Sequence, residues 1–267
     1  MRSIYKNSVI IALILCLTCG MKLFAQHQEH YSIEQFISGK DTLKYRMLLP
    51  SNFDTAKTYP VVLFLHGAGE RGDDNQKQLA HGSELFYKTR DSFPAIVLFP
   101  QCRQDDYWAS VSVDRSTKPL VLKFPPNSAP TKSMALATKL LDSIMAKPYA
   151  NKNQVYVGGL SMGGMGTFEI LYRHPETFAA AFAICGAGNP ETTERYAKTV
   201  PMWIFHGAKD DVVNPQNSLD MTSGILRYGG TPNFTLYAKD NHNSWDSAFA
   251  EPQLLPWLFS NSKTNSK

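Results

Sequence analysis

Charge is scarce in this sequence. Asp, Glu, Lys and Arg make up 19% of 267 residues, and no basic run or basic–aromatic stripe interrupts them. Nucleic acid is therefore not an expected partner, since phosphate binding needs clustered Lys and Arg. Cysteine is scarcer still, with four residues at positions 16, 19, 102 and 185. Beyond residue 25 there is no Cys-x-x-Cys and no His-x-x-x-His, and His27 and His30 lie near a terminus, so no metal is expected. No phosphate loop or dinucleotide fingerprint is read in the chain, and no cofactor is expected.

The longest apolar stretch lies at the amino terminus. Arg2 and Lys6 precede an apolar run from Val9 to Thr18, and Leu23-Phe24-Ala25 offers a small residue before Gln26. Residues 1–25 therefore read as a signal peptide, too short for a comfortable membrane span. Cys19 raises lipid attachment as an alternative, but Cys16 and Thr18 suit a lipid-attachment box poorly. The segment contains three basic residues and no acid, so the formal charge of +4 falls to +1 without it. Cys102 and Cys185 then remain; an exported protein could pair them, but they follow different expected strands, and pairing stays open.

What is present is an alternation of strands and helices. Thr42 to Leu49 alternates in polarity and reads as an antiparallel strand with one buried face. Pro60–Leu65 and Ala95–Phe99 are continuously apolar, the pattern of strands covered on both faces. Further strands are expected at 155–159, 179–184, 201–205 and 234–237. Helices are expected at 130–146, after Ser161, near 191–197, from Asn214-Pro215 to Gly229-Gly230, and over about 247–259. This order predicts a mostly parallel sheet with helices on both faces, as one α/β domain over residues 26–267 with its core at about 42–260. The intervals between strands leave no room for a cap domain, so an open site is expected.

The chain is organised around Val155-Tyr-Val-Gly-Gly-Leu-Ser-Met-Gly-Gly-Met165. Here G-x-S-x-G (Gly159 to Gly163) falls where a strand must turn sharply into a helix, which would hold the Ser161 hydroxyl out at the sheet end. Serine is a poor nucleophile unless a base takes its proton and a buried acid orients that base. Of the downstream histidines, His174 lies too far along the helix after Ser161, and His206 follows a strand directly, where a turn-bracing role is expected. His242 follows the last strand on a loop able to reach the sheet's carboxyl edge, and is the expected base. Asp210 and Asp211 both follow strand 201–205. An oxyanion formed at Ser161 would need N–H donors: Met162, next to the serine, and one from the glycine-rich loop after strand 61–65.

At His206-Gly-Ala-Lys-Asp-Asp-Val-Val213 the sequence resembles the α/β-hydrolase superfamily, whose His-Gly-x-x-Asp-x-x-Val pattern implies Asp210 as the acid. The loop Leu65-His-Gly-Ala-Gly-Glu-Arg-Gly72 resembles the oxyanion loops of esterases and lipases, implying Ala68, with Gly69 next, as the second donor. With Phe99-Pro-Gln-Cys102, Ala183-Ile-Cys-Gly-Ala-Gly188 and His242-Asn-Ser-Trp-Asp246, the chain is similar to secreted bacterial esterases of the predicted-peptidase, phospholipase/carboxylesterase and polyhydroxybutyrate-depolymerase type, akin to feruloyl and acetylxylan esterases. That resemblance spans roughly residues 42–260 and implies ester cleavage by Ser161, His242 and Asp210 through an acyl-enzyme, on a small or polysaccharide-linked ester. Trp108, Tyr107 and Trp245 are candidates for an acyl or sugar pocket, core packing being the competing use of the same residues. Arg71 and Glu70 are candidate substrate contacts, and equally a candidate loop-bracing ion pair. His66 is expected to brace its loop. A peptidase or amidase would use the same triad, an acyltransferase would need a site that excludes water, and a non-catalytic carbohydrate-binding module would be expected to have lost triad members.

Overall fold

A computed structural model describes residues 27–125 and 127–263, so the expected signal peptide at 1–25 lies outside the described residues. Ten strands are described: β1 (Ser32–Ser38), β2 (Asp41–Leu48), β3 (Tyr59–Leu65), β4 (Ile96–Pro100), β5 (Ser112–Asp114), β6 (Val121–Lys123), β7 (Ala150–Leu160), β8 (Ala180–Ile184), β9 (Met202–Gly207) and β10 (Asn233–Tyr237). Eight form one sheet in the order β1-β2-β4-β3-β7-β8-β9-β10. The β1–β2 and β2–β4 pairings are antiparallel, and every pairing from β4 across to β10 is parallel. Apolarity explains the placement. Val61 to Leu65, all of β4 and all of β8 are buried, as central parallel strands must be, whereas β1 at the edge leaves Ile33 and Ile37 exposed.

Among the described residues six α-helices cover the sheet: α1 (Ser83–Thr89), α2 (Lys132–Met145), α3 (Met162–Arg173), α4 (Gln216–Arg227), α5 (Trp245–Phe249) and α6 (Leu254–Ser260). Leu136, Leu140 and Leu141 of α2, Phe168 and Leu171 of α3 and Met221 and Ile225 of α4 share one core with one sheet face. Phe86 of α1, Ala248 of α5 and Leu254, Leu255 and Leu258 of α6 pack in a second core on the other. This is the α/β-hydrolase arrangement, with helices on both faces.

Three expectations are corrected. The closing helix over 247–259 is two helices, because Pro252 supplies no N–H and disfavours helical backbone before it. The segment near 191–197 is a 3-10 turn, Pro190–Arg195, opened by Asn189, whose side chain accepts from Glu191 N–H. The third correction bears on the site. Between β4 and α2, β5 and β6 form a separate antiparallel hairpin, tied down where Leu120 N–H donates to the Val212 carbonyl at 2.9 Å. The site is roofed on one side by this hairpin instead of fully open.

Candidate active site

Ser161 stands between the last residue of β7 and the first of α3, with φ 53° and ψ −116°. For a residue with a Cβ this backbone is strained, and the surroundings hold it in place. Its N–H donates to the Ile184 carbonyl at 2.8 Å, fixing the turn to β8. Glycine is required on both sides. A Cβ at Gly163 would lie 1.8 Å from the Leu65 carbonyl oxygen, and one at Gly159 2.5 Å from the Gly163 oxygen. The helix therefore sits tight on β3, and Met162 opens α3, where first-turn amides have no partner within the helix.

The candidate acid and base come from two neighbouring strand ends. Asp210 follows β9 and His242 follows β10. The two loops are stitched by Ala208 N–H to the Tyr237 carbonyl and Lys209 N–H to the Asp240 carbonyl, both 2.9 Å. Gly207 permits that approach, since a Cβ there would lie 2.2 Å from the Asn241 oxygen. The Ser161 Oγ lies 3.0 Å from His242 Nε2, and His242 Nδ1 lies 2.7 Å from Asp210 Oδ2. A carboxylate can only accept, so Nδ1 carries the proton and Nε2 is left as an acceptor facing the serine. Asp210 is enclosed and its Oδ1 accepts from the Val212 and Val213 N–H groups, both at 2.9 Å. Burial pushes its carboxyl upward, but the hydrogen bonds from His206 and His242, the His242 charge and the Val212 amide outweigh it and hold the group well below the usual carboxylate range.

A cavity of about 260 Å³ opens at Ser161. Gly67, Ala68, Gly69 and Met162 line it together with His242, so the amides expected to face an oxyanion share one chamber with the serine. Ala68 and Gly69 belong to a 3-10 turn, Ala68–Glu70. Gly67–Gly72 does carry the G-x-G-x-x-G spacing that the sequence reading passed over. It makes this short turn at the serine's cavity and does not open a helix, so it is not built as a dinucleotide site. His66 braces the loop: its Nε2 accepts from Cys102 N–H at 2.9 Å, its Nδ1 lies 2.6 Å from the Gly67 carbonyl, and its own carbonyl accepts from Trp108.

Of the aromatic candidates, Tyr107 and Trp245 line the cavity, the Trp245 ring standing edge-on to His242 at 5.5 Å. Trp108 does not. It is fully buried, its indole N–H donates to the His66 carbonyl at 3.1 Å, and its Cβ fills the space over Gly166, so it is a core residue. Arg71 braces the loop and does not line the cavity: its guanidinium donates to the carbonyls of Ala68, Gln104 and Asp106 and stacks 4.8 Å over Tyr107. Sequence reasoning missed Val113, Arg115, Leu120 and Leu122 of the hairpin segment, and His81; Glu70, a candidate from the sequence, lines the cavity. Two three-residue strands carry too little periodicity to be read, although Arg115-Ser-Thr-Lys-Pro119 has turn composition.

Cys102 and Cys185 are free and buried, and burial pushes the Cys102 thiol up to about 12 and the Cys185 thiol higher. Among the described residues one cluster could hold a metal, Cys185, Asp210 and His242, with ligand atoms within 4.8 Å of one another. The hydrogen bond between Asp210 and His242 and the protonated thiol already account for it. Among the described residues no helix is long and apolar enough to cross a membrane.

A family described as "Putative esterase" matches residues 38–246. The chain is 28% identical over 180 residues to a bifunctional acetylxylan esterase/xylanase of Neocallimastix patriciarum, a match covering 67% of this chain and 22% of that protein. Among solved structures, a thermostable esterase is similar with a TM-score of 0.80 at 30% identity, over 89% of this chain and 64% of that one. A ferulic acid esterase from Anaeromyces mucronatus matches with a TM-score of 0.58 at 17% identity, over 82% of this chain and 86% of that one, a likeness of fold. The chain thus spans under a quarter of the acetylxylan esterase/xylanase and just under two thirds of the thermostable esterase.

Proposed function

The chain belongs to this esterase family, and from that premise we propose that it hydrolyses carboxylic esters through an acyl-enzyme on Ser161. The observation that carries the reading is the relay from Ser161 Oγ to His242 Nε2 at 3.0 Å and from His242 Nδ1 to Asp210 Oδ2 at 2.7 Å, at the wall of a cavity. In this reading His242 takes the serine proton as Oγ attacks the ester carbonyl. The amides of Met162 and Ala68, with Gly69 next to them, hold the oxyanion. His242 returns the proton to the leaving alcohol, and water repeats the cycle on the acyl group. Asp210 fixes the tautomer and stabilises the imidazolium. Feruloyl or acetyl esters of plant polysaccharide are the proposed substrates, on the strength of what the similar esterases are named for. Export follows from the signal peptide read at residues 1–25.

The test is initial rates of the purified protein on p-nitrophenyl acetate, p-nitrophenyl octanoate, methyl ferulate, acetylated xylan and a peptide anilide. Ester turnover should fall by about 10⁵-fold or more in Ser161→Ala. Peptide cleavage without ester cleavage would move the assignment to an amidase, and ester turnover that survives in Ser161→Ala would remove Ser161 from the mechanism.

A further inference from the structure

Asp210 Oδ2 has two imidazole partners, of which the relay uses one. The second is His206, the penultimate residue of β9, whose side chain is wholly enclosed. Its Nε2 lies 3.1 Å from Asp210 Oδ2 and 3.0 Å from the Val213 carbonyl oxygen. Both neighbours can only accept, so Nε2 carries a proton. At the far side of the ring, Nδ1 lies 2.7 Å from the Ser218 Oγ at the start of α4. That hydroxyl donates in turn to the Gly186 carbonyl at 3.2 Å. The ring is pinned at both nitrogens.

We propose that His206 is a positioning residue for the base, acting through Asp210; the proposal rests on the triad reading above. The two backbone amides hold only Oδ1. Without His206, Oδ2 would be aligned by His242 alone, a partly exposed side chain that must move its proton between serine and leaving group in every cycle. His206 supplies a second, buried anchor on that oxygen, independent of the base it serves. It also takes a share of the oxygen's negative charge and so limits how strongly Asp210 stabilises the His242 imidazolium. A histidine that merely filled space at the end of β9 would need neither the shared oxygen nor a polar partner at each ring nitrogen. The other titratable groups facing this pair among the described residues are the Ser161 hydroxyl and the Cys185 thiol, both uncharged at neutral pH.

The experiment compares the wild-type protein with Ser161→Ala, His206→Leu and His206→Gln. It reads kcat and KM on p-nitrophenyl acetate from pH 5 to 9, thermal unfolding, and the low-field proton NMR spectrum. Gln is the conservative variant, because its side-chain amide can return an N–H donor to Asp210. In His206→Leu, kcat should fall about 10- to 100-fold with KM within about two-fold, the scale of a misplaced catalytic group. The acid limb of kcat/KM should move to higher pH, because an Asp210 relieved of one donor stabilises the imidazolium more. His206→Gln should recover most of kcat. The wild-type spectrum should show imidazole N–H protons from both His206 and His242, the former lost in His206→Gln while the latter shifts.

A folded His206→Leu with wild-type kcat and an unmoved limb overturns the proposal. So does an equal loss in Leu and Gln with the limb unmoved. Should His206→Leu fail to fold, the decision passes to the spectrum and to His206→Gln. One imidazole N–H in the wild type, or a His206→Gln spectrum in which the remaining proton does not shift, overturns the proposal. Failure of the triad reading looks different: Ser161→Ala would keep its activity while the two N–H protons remained.

Discussion

Asp210 shows how much depends on single hydrogen bonds. The carboxylate is enclosed, yet it stays ionised because four donors reach its two oxygens. Asparagine is nearly isosteric but brings an NH₂ group where one oxygen stood. Turned with that group toward His242, it could accept nothing from Nδ1 and would favour the tautomer with the proton on Nε2, facing Ser161. Asp210→Asn should therefore lower kcat by about 10⁴-fold with little change in KM, measured on p-nitrophenyl acetate. Turnover within about ten-fold of wild type would mean that Asp210 does not orient the base. At the same scale, Ser161 keeps its strained backbone because Gly163 lets α3 press against the Leu65 carbonyl, which no residue with a Cβ could do.

Among elements, the β5–β6 hairpin sets the character of the pocket. Val113, Leu120 and Leu122 present apolar side chains to the cavity, and Leu122 packs with Met165 and Val213 from the body of the fold. Glu70, His81 and Trp245 line the cavity beside His242. On the proposed mechanism the base protonates the leaving alcohol, which puts the alcohol on the His242 side and the acyl group under the hairpin. Replacing Leu120 and Leu122 together by Ala should then lower kcat/KM for p-nitrophenyl octanoate by about 10-fold relative to the acetate, the scale of a few lost methylene contacts. An unchanged octanoate-to-acetate ratio would place the acyl chain elsewhere.

For the whole molecule, acid stability follows from a buried histidine. Burial strips water from His66 and pushes its imidazole down to about 4 from its ordinary 6.5, despite the Gly67 carbonyl beside it. The unfolded chain takes up this proton as pH falls through 6.5, and the folded chain does not until about 4. Stability is therefore full above that window and is lost on the way down, by about 3 kcal/mol in all. The depressed carboxyls of Asp74 and Asp210 act in the same direction lower down, as pH falls below about 4. Urea unfolding of the wild type should show a loss of about 2–3 kcal/mol between pH 7 and pH 4.5. His66→Gln, less stable at pH 7, should show a much flatter dependence. Equal slopes in the two proteins would mean that His66 is not the group responsible.

The amino-acid sequence by itself determined the central strands and the sharp turn at Ser161. Continuous apolar runs such as Pro60–Leu65 can only be strands buried on both faces, and glycines around a serine between such a strand and a helix leave the chain one sharp way to turn. These are local signals, carried by consecutive residues. Which of Asp210 and Asp211 faces His242 was legible only through resemblance to a superfamily pattern. Tertiary structure decided the rest. Trp108 and Tyr107 are neighbours of similar composition, yet one is sealed under His66 and the other faces the cavity. The hairpin is too short to have a readable period, and it exists because Leu122 and Phe124 have a core to pack on and Leu120 a carbonyl to bind. The pairing of His206 with Asp210 depends on a strand end, a loop and a helix start meeting within hydrogen-bond distance. Such meetings are set by how the layers pack, and no local pattern in the chain encodes them.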